Sequence, residues 1–406
     1  MPDAALSDLR VVDLSQGVAG PYCTKLLAAF GAEVIKVEPP GGDVSRRLGP
    51  FPEDLPHPER SGLFLLLNTG KKGVTLDVGT ASGVVVLKKL LARADVLVES
   101  YPPGRMDEWG IGYEQLRGDF PQLVYASVTA FGQTGPYRDY RANSLVAVAM
   151  SSIMYSTGDP DREPLTTGCE PADYFAGLQA FVGVLAALAH RQANGGGQRV
   201  DVSLVESMAA ADEYNAAMYA YLGVIRRRLY SRHVFGYPMD ILPSEDGHVV
   251  VIPGAQGFPR PLMEQGVSPM SLLLENLDLD QNPLFQMMQE RYTRWRELDE
   301  LLLPWLTTHP SQQIVETAQE LRMPFALVPT VADVLEDKHL EQRGFFEEIE
   351  HPKAGKLRHT GAAFRMSETP IESGPAPALG QDNEAVLGEA GYDLQDLGIL
   401  RDRGVI

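Results

Sequence analysis

Cysteine is scarce in this chain of 406 residues: there are two, Cys23 and Cys169. Two thiols make no disulfide framework, and neither stands in the CxxC spacing of a redox or zinc site. The eight histidines show no HxxxH or HExxH spacing, so no resident metal is expected. Positive charge is in deficit, 35 Lys and Arg against 54 Asp and Glu, a net −19. Such a surface repels polyanions and excludes nucleic acid and anionic membrane as natural partners. It favours a small substrate, and an anionic one needs a local basic patch. The opening MPDAALSDLRVVDL lacks a basic stretch followed by an apolar one, so no secretory leader is read and the cytoplasm is expected. The longest uncharged apolar run, residues 174–190, falls short of the ~20 residues of a membrane span and reads as a buried core helix. GxGxxG and GxSxG are also missing, which removes the main support for a nicotinamide or flavin dehydrogenase and for a nucleophile-elbow hydrolase.

What is present is a globular composition, 44% hydrophobic and 22% charged, and a regular alternation of patterns. Short β-branched runs predict strands at 10–14, 33–38, 74–78, 95–99, 123–129 and 199–204. Between them lie helical patterns at 21–30, 81–94 (opened by Thr80), 144–155 and 174–191. Strand, crossover helix and strand repeated in this way predict a parallel, doubly wound α/β sheet, a Rossmann-like large domain. From about residue 205 the texture changes to a helix rich in Met, Ala and Tyr, then RRRLYSRH, an Asp246–Gly247 hairpin and helical patterns at 283–308 and 311–322. The division expected is 1–205 as the first segment of the large domain, 206–324 as a smaller α+β domain with linkers, and 325–406 as the large domain's C-terminal segment.

Several residues carry possible chemistry. Asp173, just ahead of the apolar helix, reads first as a helix N-cap. The same physics offers a second reading, a carboxylate held ionised at a helix N-terminus and able to attack an activated acyl group. The turn SQGVAGP (15–21) opens a helix whose N–H groups suit an anion or carbonyl, and the loop FGQTGP (131–136) offers N–H groups to an oxyanion. Either is equally a plain turn. Basic residues in the α/β half, Lys36, Arg46, Arg47, Lys71, Lys72, Arg105, Arg138 and Arg141, are solvated charges or the anion site of a phosphorylated ligand. The cluster Arg226, Arg227, Arg228 and Arg232 is a solvated linker or a seat for a second carboxylate.

The strings LRVVDLSQGVAGPYCTKLLAAFGAEVIKVEPPGGD, NTGKKGVTLD, ADVLVESYPPG, LVYASVTAFGQTGPY, the Asp173 helix and GGGQRVDVSLVESM occur in that order. Together they resemble the family III CoA-transferases, the CaiB/BaiF family of carnitine and formyl-CoA transferase type, over essentially the whole chain. The resemblance implies a transferase that moves CoA from an acyl-CoA to a free carboxylate, with Asp173 as nucleophile through an aspartyl anhydride and an aspartyl-CoA thioester. It implies no permanently bound cofactor, CoA and acyl-CoA being substrates, and an interlocked homodimer. Val18, Ala19, Leu76, Ser100, Tyr101, Arg105 and Arg141 fall at positions similar to the family's CoA contacts. The chain departs from the formyl-CoA transferase pattern at Pro39, Gly79, Ser100 and Glu108, so its phosphate contacts are expected from Arg105, Lys71, Lys72 and Arg46. Two rival readings share the fold. An α-methylacyl-CoA racemase uses a His where this chain has Asn143, which does no acid–base work. A non-catalytic CoA-binding subunit of a heteromeric transferase is the other.

Overall fold

The computed structural model describes residues 4–232, 237–254, 260–286, 293–371 and 373–406. They form two compact units. The first comprises residues up to Met154, Thr166–Ile225 and His339–Ile406; the second comprises Tyr155–Leu165 and Arg226–Lys338.

The first unit is built on six parallel strands: β1 (Arg10–Asp13), β2 (Glu33–Glu38), β3 (Lys72–Thr75), β4 (Val96–Glu99), β5 (Val124–Thr129) and β6 (Arg199–Ser203). Their order across the sheet is β3-β2-β1-β4-β5-β6, so the winding reverses between β1 and β4. That reversal is the doubly wound arrangement expected from the strand–helix alternation. The strands are apolar on both faces because both are covered. Val11, Val34, Val96 and Ala126 meet the helices α1 (Ala19–Ala29) and α4 (Pro171–Asn194) on one side. On the other, Val12, Ile35, Leu97 and Val74 meet α2 (Ala81–Leu91) and C-terminal residues Val386, Leu387, Leu397 and Leu400. Thr80 caps α2 as its sequence position implied, its hydroxyl accepting from Gly83 N.

Three expectations change. The third strand is Lys72–Thr75 rather than 74–78: Leu76 makes the last bond to β2, through the Glu38 carbonyl, and Asp77 N–H turns to the Val405 carbonyl at 2.7 Å. The helix expected over 144–155 breaks into α3 (Ser144–Met150) and a short turn at Ile153–Ser156, with Ser152 at φ 74° between them. The apolar helix runs longer than its uncharged stretch. At 24 residues and mean hydropathy 1.5, α4 is long and apolar enough to cross a membrane by length and composition. One face, with Ala172, Ala176, Ala180, Phe181, Val184 and Leu188, is buried in the core, while Phe175, Leu178 and Val182 are exposed.

The second unit has an antiparallel sheet of β7 (Asp240–Pro243), β8 (His248–Val251) and β9 (Ala326–Leu327), with Asp246–Gly247 in the connection between the first two. Leu298, Leu302 and Leu306 of the helix Trp295–Leu306 and Ile314 of Ser311–Glu320 pack with Val249, Val251 and Phe325. Part of the pattern at 283–308 lies outside the described residues. The boundaries differ from those read by texture. The helix Glu213–Leu222 belongs to the first unit, and the smaller unit begins at Arg226 and ends at Lys338. It also takes in Tyr155–Leu165, because Arg228 donates to the carbonyls of Tyr155 and Asp159 and Gly158 bridges Tyr230. In the first unit's C-terminal part, β10 (Phe346–His351) and β11 (Gly355–Thr360) form a hairpin.

Candidate active site

In an open parallel sheet, ligands bind beyond the carboxyl ends of the strands where the winding reverses. Here that place is the seam between the turns after β1 and β4. Gln16 N–H donates to Ser100 Oγ at 2.8 Å, stitching the two turns together. Val18 and Ala19 stand just beyond as the N-cap and first residue of α1, both buried. Leu76 follows β3 at the same end of the sheet, its side chain in the core and its N–H on the Glu38 carbonyl at 2.7 Å.

The β1 turn is anchored by acids instead of cradling an anion with its glycines. Asp13 accepts from the N–H and hydroxyl of Ser15, and Asp43 accepts from Gly17 N–H at 3.2 Å. Under the turn lies a buried ion network. Lys71 meets Asp13 at 3.0 Å, Lys36 meets Asp43 at 2.7 Å, and Arg46 pairs with Glu38 at 2.6 Å while stacking on Phe64. Burial alone would raise the Asp13 carboxyl, but Lys36 and Lys71 hold it at about 2. Lys71 falls to about 8 because burial and the neighbouring Lys36 outweigh its partner acids. These cations are consumed by the fold. Lys71 and Arg46, expected among the phosphate contacts, are therefore corrected to structural residues. Lys72 pairs with Glu33 at 2.5 Å at the surface.

A cleft of about 630 Å³ opens beyond β4 and β5, lined by Ser100, Tyr101, Arg105, Thr129, Arg138 and Arg141 among others. The structure thus brings together five residues that the sequence singled out: Ser100, Tyr101, Arg105, Arg138 and Arg141. Tyr101 stands edge-on to Trp109 at 5.0 Å, and Gln16 reaches its hydroxyl at 3.5 Å. Arg105 and Arg138 each share an exposed acid, Glu108 at 2.8 Å and Asp139 at 3.2 Å, whereas Arg141 is exposed and makes no ion pair among the described residues.

Asp173 is not the cap of its helix. α4 begins at Pro171 with Glu170 at the N-cap, and Asp173 sits in the first turn. Burial first, and then the adjacent Glu170 charge, push its carboxyl up to about 6. A hydrogen bond from Ser144 and its own N–H work in the opposite direction. Burial and Glu170 thus raise the carboxyl, yet at about 6 it is still mostly ionised at neutral pH, as the reading of a helix-terminal carboxylate expects. Two contacts fix its place. Ser144 Oγ accepts from Ala172 N–H at 3.1 Å, and a Cβ at Gly177 would meet the Ala19 carbonyl oxygen at 2.5 Å. The first turns of α4 therefore lie directly on the start of α1, beside Val18 and Ala19. Ser144 is two residues beyond Ala142, the last residue lining the cleft.

Other candidates resolve differently. In the FGQTGP loop, Gly132 and Gly135 have φ of 79° and 85°, but Gln133 N–H is taken by the Asp201 carboxylate at 3.0 Å. Asn143 caps α3 by accepting from Val146 N–H. In the second unit, Arg232 pairs with Asp240 at 3.1 Å and lies 3.3 Å above the Trp295 ring, so two members of the arginine cluster, Arg228 and Arg232, hold that unit together. Glu99, which sequence reasoning missed, is buried beneath the cleft, accepts from Tyr101 N–H at 2.8 Å and is raised to about 7, chiefly by burial. Among the described residues, no group of three or more His, Cys, Asp or Glu is placed to hold a metal ion.

Comparison with known proteins places the chain in a family. Residues 6–383 match the model of CoA-transferase family III. The chain belongs to that family. It is 35% identical over 395 residues to the succinyl-CoA:mesaconate CoA-transferase of Haloarcula marismortui, covering 96% of this chain and 97% of that protein. It is 34% identical over 411 residues to the succinyl-CoA–D-citramalate CoA-transferase of Chloroflexus aurantiacus, covering 100% and 99%. Among solved structures, a CaiB/BaiF family protein from Brucella suis superposes with a TM-score of 0.84 at 30% identity, covering 96% of this chain and 100% of that one. This family III member is a CoA-transferase.

Proposed function

We propose that the enzyme transfers CoA from an acyl-CoA thioester to a free carboxylic acid through covalent intermediates on Asp173. The observation that carries this reading is a carboxylate of raised pKa at the start of α4, tied through Ser144 to the segment that lines a cleft bearing Arg105 and Arg141. At neutral pH, with a pKa of about 6, the carboxylate is mostly ionised yet poorly solvated, which favours nucleophilic attack. Asp173 attacks the thioester carbonyl; the C–S bond breaks, giving an aspartyl–acyl anhydride and CoA thiolate. The thiolate attacks the aspartyl carbonyl, forms an aspartyl-CoA thioester and releases the donor acid. The acceptor carboxylate then displaces the thiolate to make a second anhydride. Thiolate attack on its acyl carbonyl yields the new acyl-CoA and restores Asp173.

CoA lies along the cleft in this reading, with Ser100, Tyr101, Arg105 and Arg141 as side-chain contacts and Val18, Ala19 and Leu76 contributing backbone. Succinyl-CoA is the donor to try first and a dicarboxylate the acceptor, in keeping with the relatives' named substrates. CoA is a substrate, with no resident cofactor required, and the compartment is the cytoplasm. We also assign an interlocked homodimer. The exposed apolar stripe Phe175, Leu178 and Val182 of α4, and the helix Glu213–Leu222, which buries no residue within the chain, support it. Sedimentation of the purified chain tests the assembly; a monomer, or a requirement for a second kind of chain, would replace it. The chemistry is tested by assaying CoA transfer across a panel of acyl-CoA donors and acids with the wild type and Asp173→Ala. Wild-type transfer with complete loss in the variant is expected, and surviving activity would rule the mechanism out.

A further inference from the structure

Ser144 is 7% exposed and opens α3, directly after the segment Arg138–Ala142 that lines the cleft. Its hydroxyl has two partners on another element. The oxygen accepts from Ala172 N–H at 3.1 Å, one of the N–H groups at the start of α4 that no helical carbonyl reaches, and the hydroxyl lies close enough to the Asp173 carboxylate to favour its ionised form. A hydroxyl can serve both, donating its one proton while accepting on its lone pairs. The helix capping of α3 is left to Asn143, so Ser144 is free of that task. One side chain thus fixes both the backbone beneath the carboxylate and the carboxylate itself.

We propose that Ser144 is the positioning residue for Asp173, orienting its carboxylate from the segment that forms the wall of the cleft. This rests on the reading of Asp173 as the nucleophile. Binding of CoA against Arg141 and alignment of the attacking oxygen are then carried by one continuous stretch, residues 138–144. The hydroxyl favours the ionised carboxylate, and Glu170 opposes it. Among the described residues, Tyr174 on its own helix and Cys169 just before that helix are the nearest other titratable groups. α1 brings Tyr22, 5.0 Å from Tyr174 between ring centres, with buried Cys23 and half-buried Lys25. α3 contributes no titratable side chain, and Glu206 of the helix Leu204–Ala210 is exposed. Of the strands against α4, β5 brings only Tyr125, which packs on the opposite face of the sheet. The β6 charges Arg199 and Asp201 are directed to Glu99 and Gln133.

The test is the pH dependence of kcat for the full-length enzyme with Ser144→Ala, the near-isosteric Ser144→Cys, Ser144→Thr and Glu170→Gln. Ser144→Ala is expected to lower kcat by roughly tenfold, the loss of one charge-assisted hydrogen bond. It should also move the acid limb upward, Ser144→Cys should move it the same way by less, Ser144→Thr should restore it, and Glu170→Gln should move it downward. An acid limb that stays in place in Ser144→Ala and Ser144→Cys, or a Ser144→Thr no better than Ser144→Ala, overturns the proposal. Should Ser144→Ala not fold, the Cys and Thr pair decides. Asp173→Ala separates the two claims: an active Asp173→Ala defeats the nucleophile reading, whereas an inactive one with an unmoved limb in Ser144→Ala defeats only the role of Ser144.

Discussion

Replacing Asp173 by Asn should make the protein more stable while abolishing transfer, and the gain should depend on pH. In the folded chain the carboxyl is raised from 3.8 to about 6, mainly by burial, so the native state binds the proton more tightly than the unfolded state does. A raised acid loses stability as pH climbs from about 4 to 6, and the whole cost is present above that window. At about 1.4 kcal/mol per pH unit the shift corresponds to about 3 kcal/mol. Partial exposure of the side chain screens roughly half of it, leaving about 1–2 kcal/mol. Asn has nearly the same shape, can accept from Ser144 and carries no charge to desolvate. Calorimetric melts of wild type and variant at pH 4 and pH 8 should show equal midpoints at the lower pH. At pH 8 the variant should melt about 2–4 °C higher, for a unit of this size. A variant no more stable than wild type at pH 8, or equally stabilised at both pH values, would refute the claim that an ionised, poorly solvated carboxylate occupies this place.

Lys71→Met should cost about 3–5 kcal/mol, because it leaves Asp13 charged and buried without its partner, whereas Lys72→Met at the surface should cost under about 1 kcal/mol; urea titrations distinguish them. Gly177→Ala should cost about 1–3 kcal/mol and lower kcat, since the new Cβ lies 2.5 Å from the Ala19 carbonyl oxygen and forces α4 away from α1. Arg141→Ala should raise KM for acyl-CoA by roughly tenfold or more while sparing the melting temperature, because this guanidinium lines the cleft, is exposed and has no ion pair among the described residues. Arg228→Ala, in contrast, should destabilise the second unit without a change in KM, because it frees the carbonyls of Tyr155 and Asp159.

The strands were legible because a parallel sheet covered on both faces demands short apolar, β-branched runs such as RVVDL and EVIKVE. Strand β3 was displaced in the sequence reading because its end is set by Asp77 turning to Val405, a contact more than 300 residues away in the chain. Asp173 was visible as a candidate, but its electrostatic state was not. A helix-terminal acid looks stabilised until the fold shows burial and Glu170 raising its carboxyl. The basic residues failed for a related reason. Lys36, Lys71 and Arg46 look like surface charge in the sequence, and only the fold brings Asp43, Asp13 and Glu38 beneath the β1 turn to neutralise them. The pattern Asp-x-Ser at Asp13–Ser15 and Asp43–Ser45 was the available signal, since each Asp accepts from the N–H two residues on. Ser144 gave no signal, standing where any helix-opening serine might.

The most direct measurement of the central claim is the mass of the tryptic peptide containing Asp173 after brief incubation with succinyl-CoA. Coenzyme A joined through a thioester to Asp173, removed when a good acceptor acid is added and absent from Asp173→Asn, is the predicted result. Transfer at full rate with Asp173 unmodified, or an adduct on another residue that persists in Asp173→Asn, would contradict it.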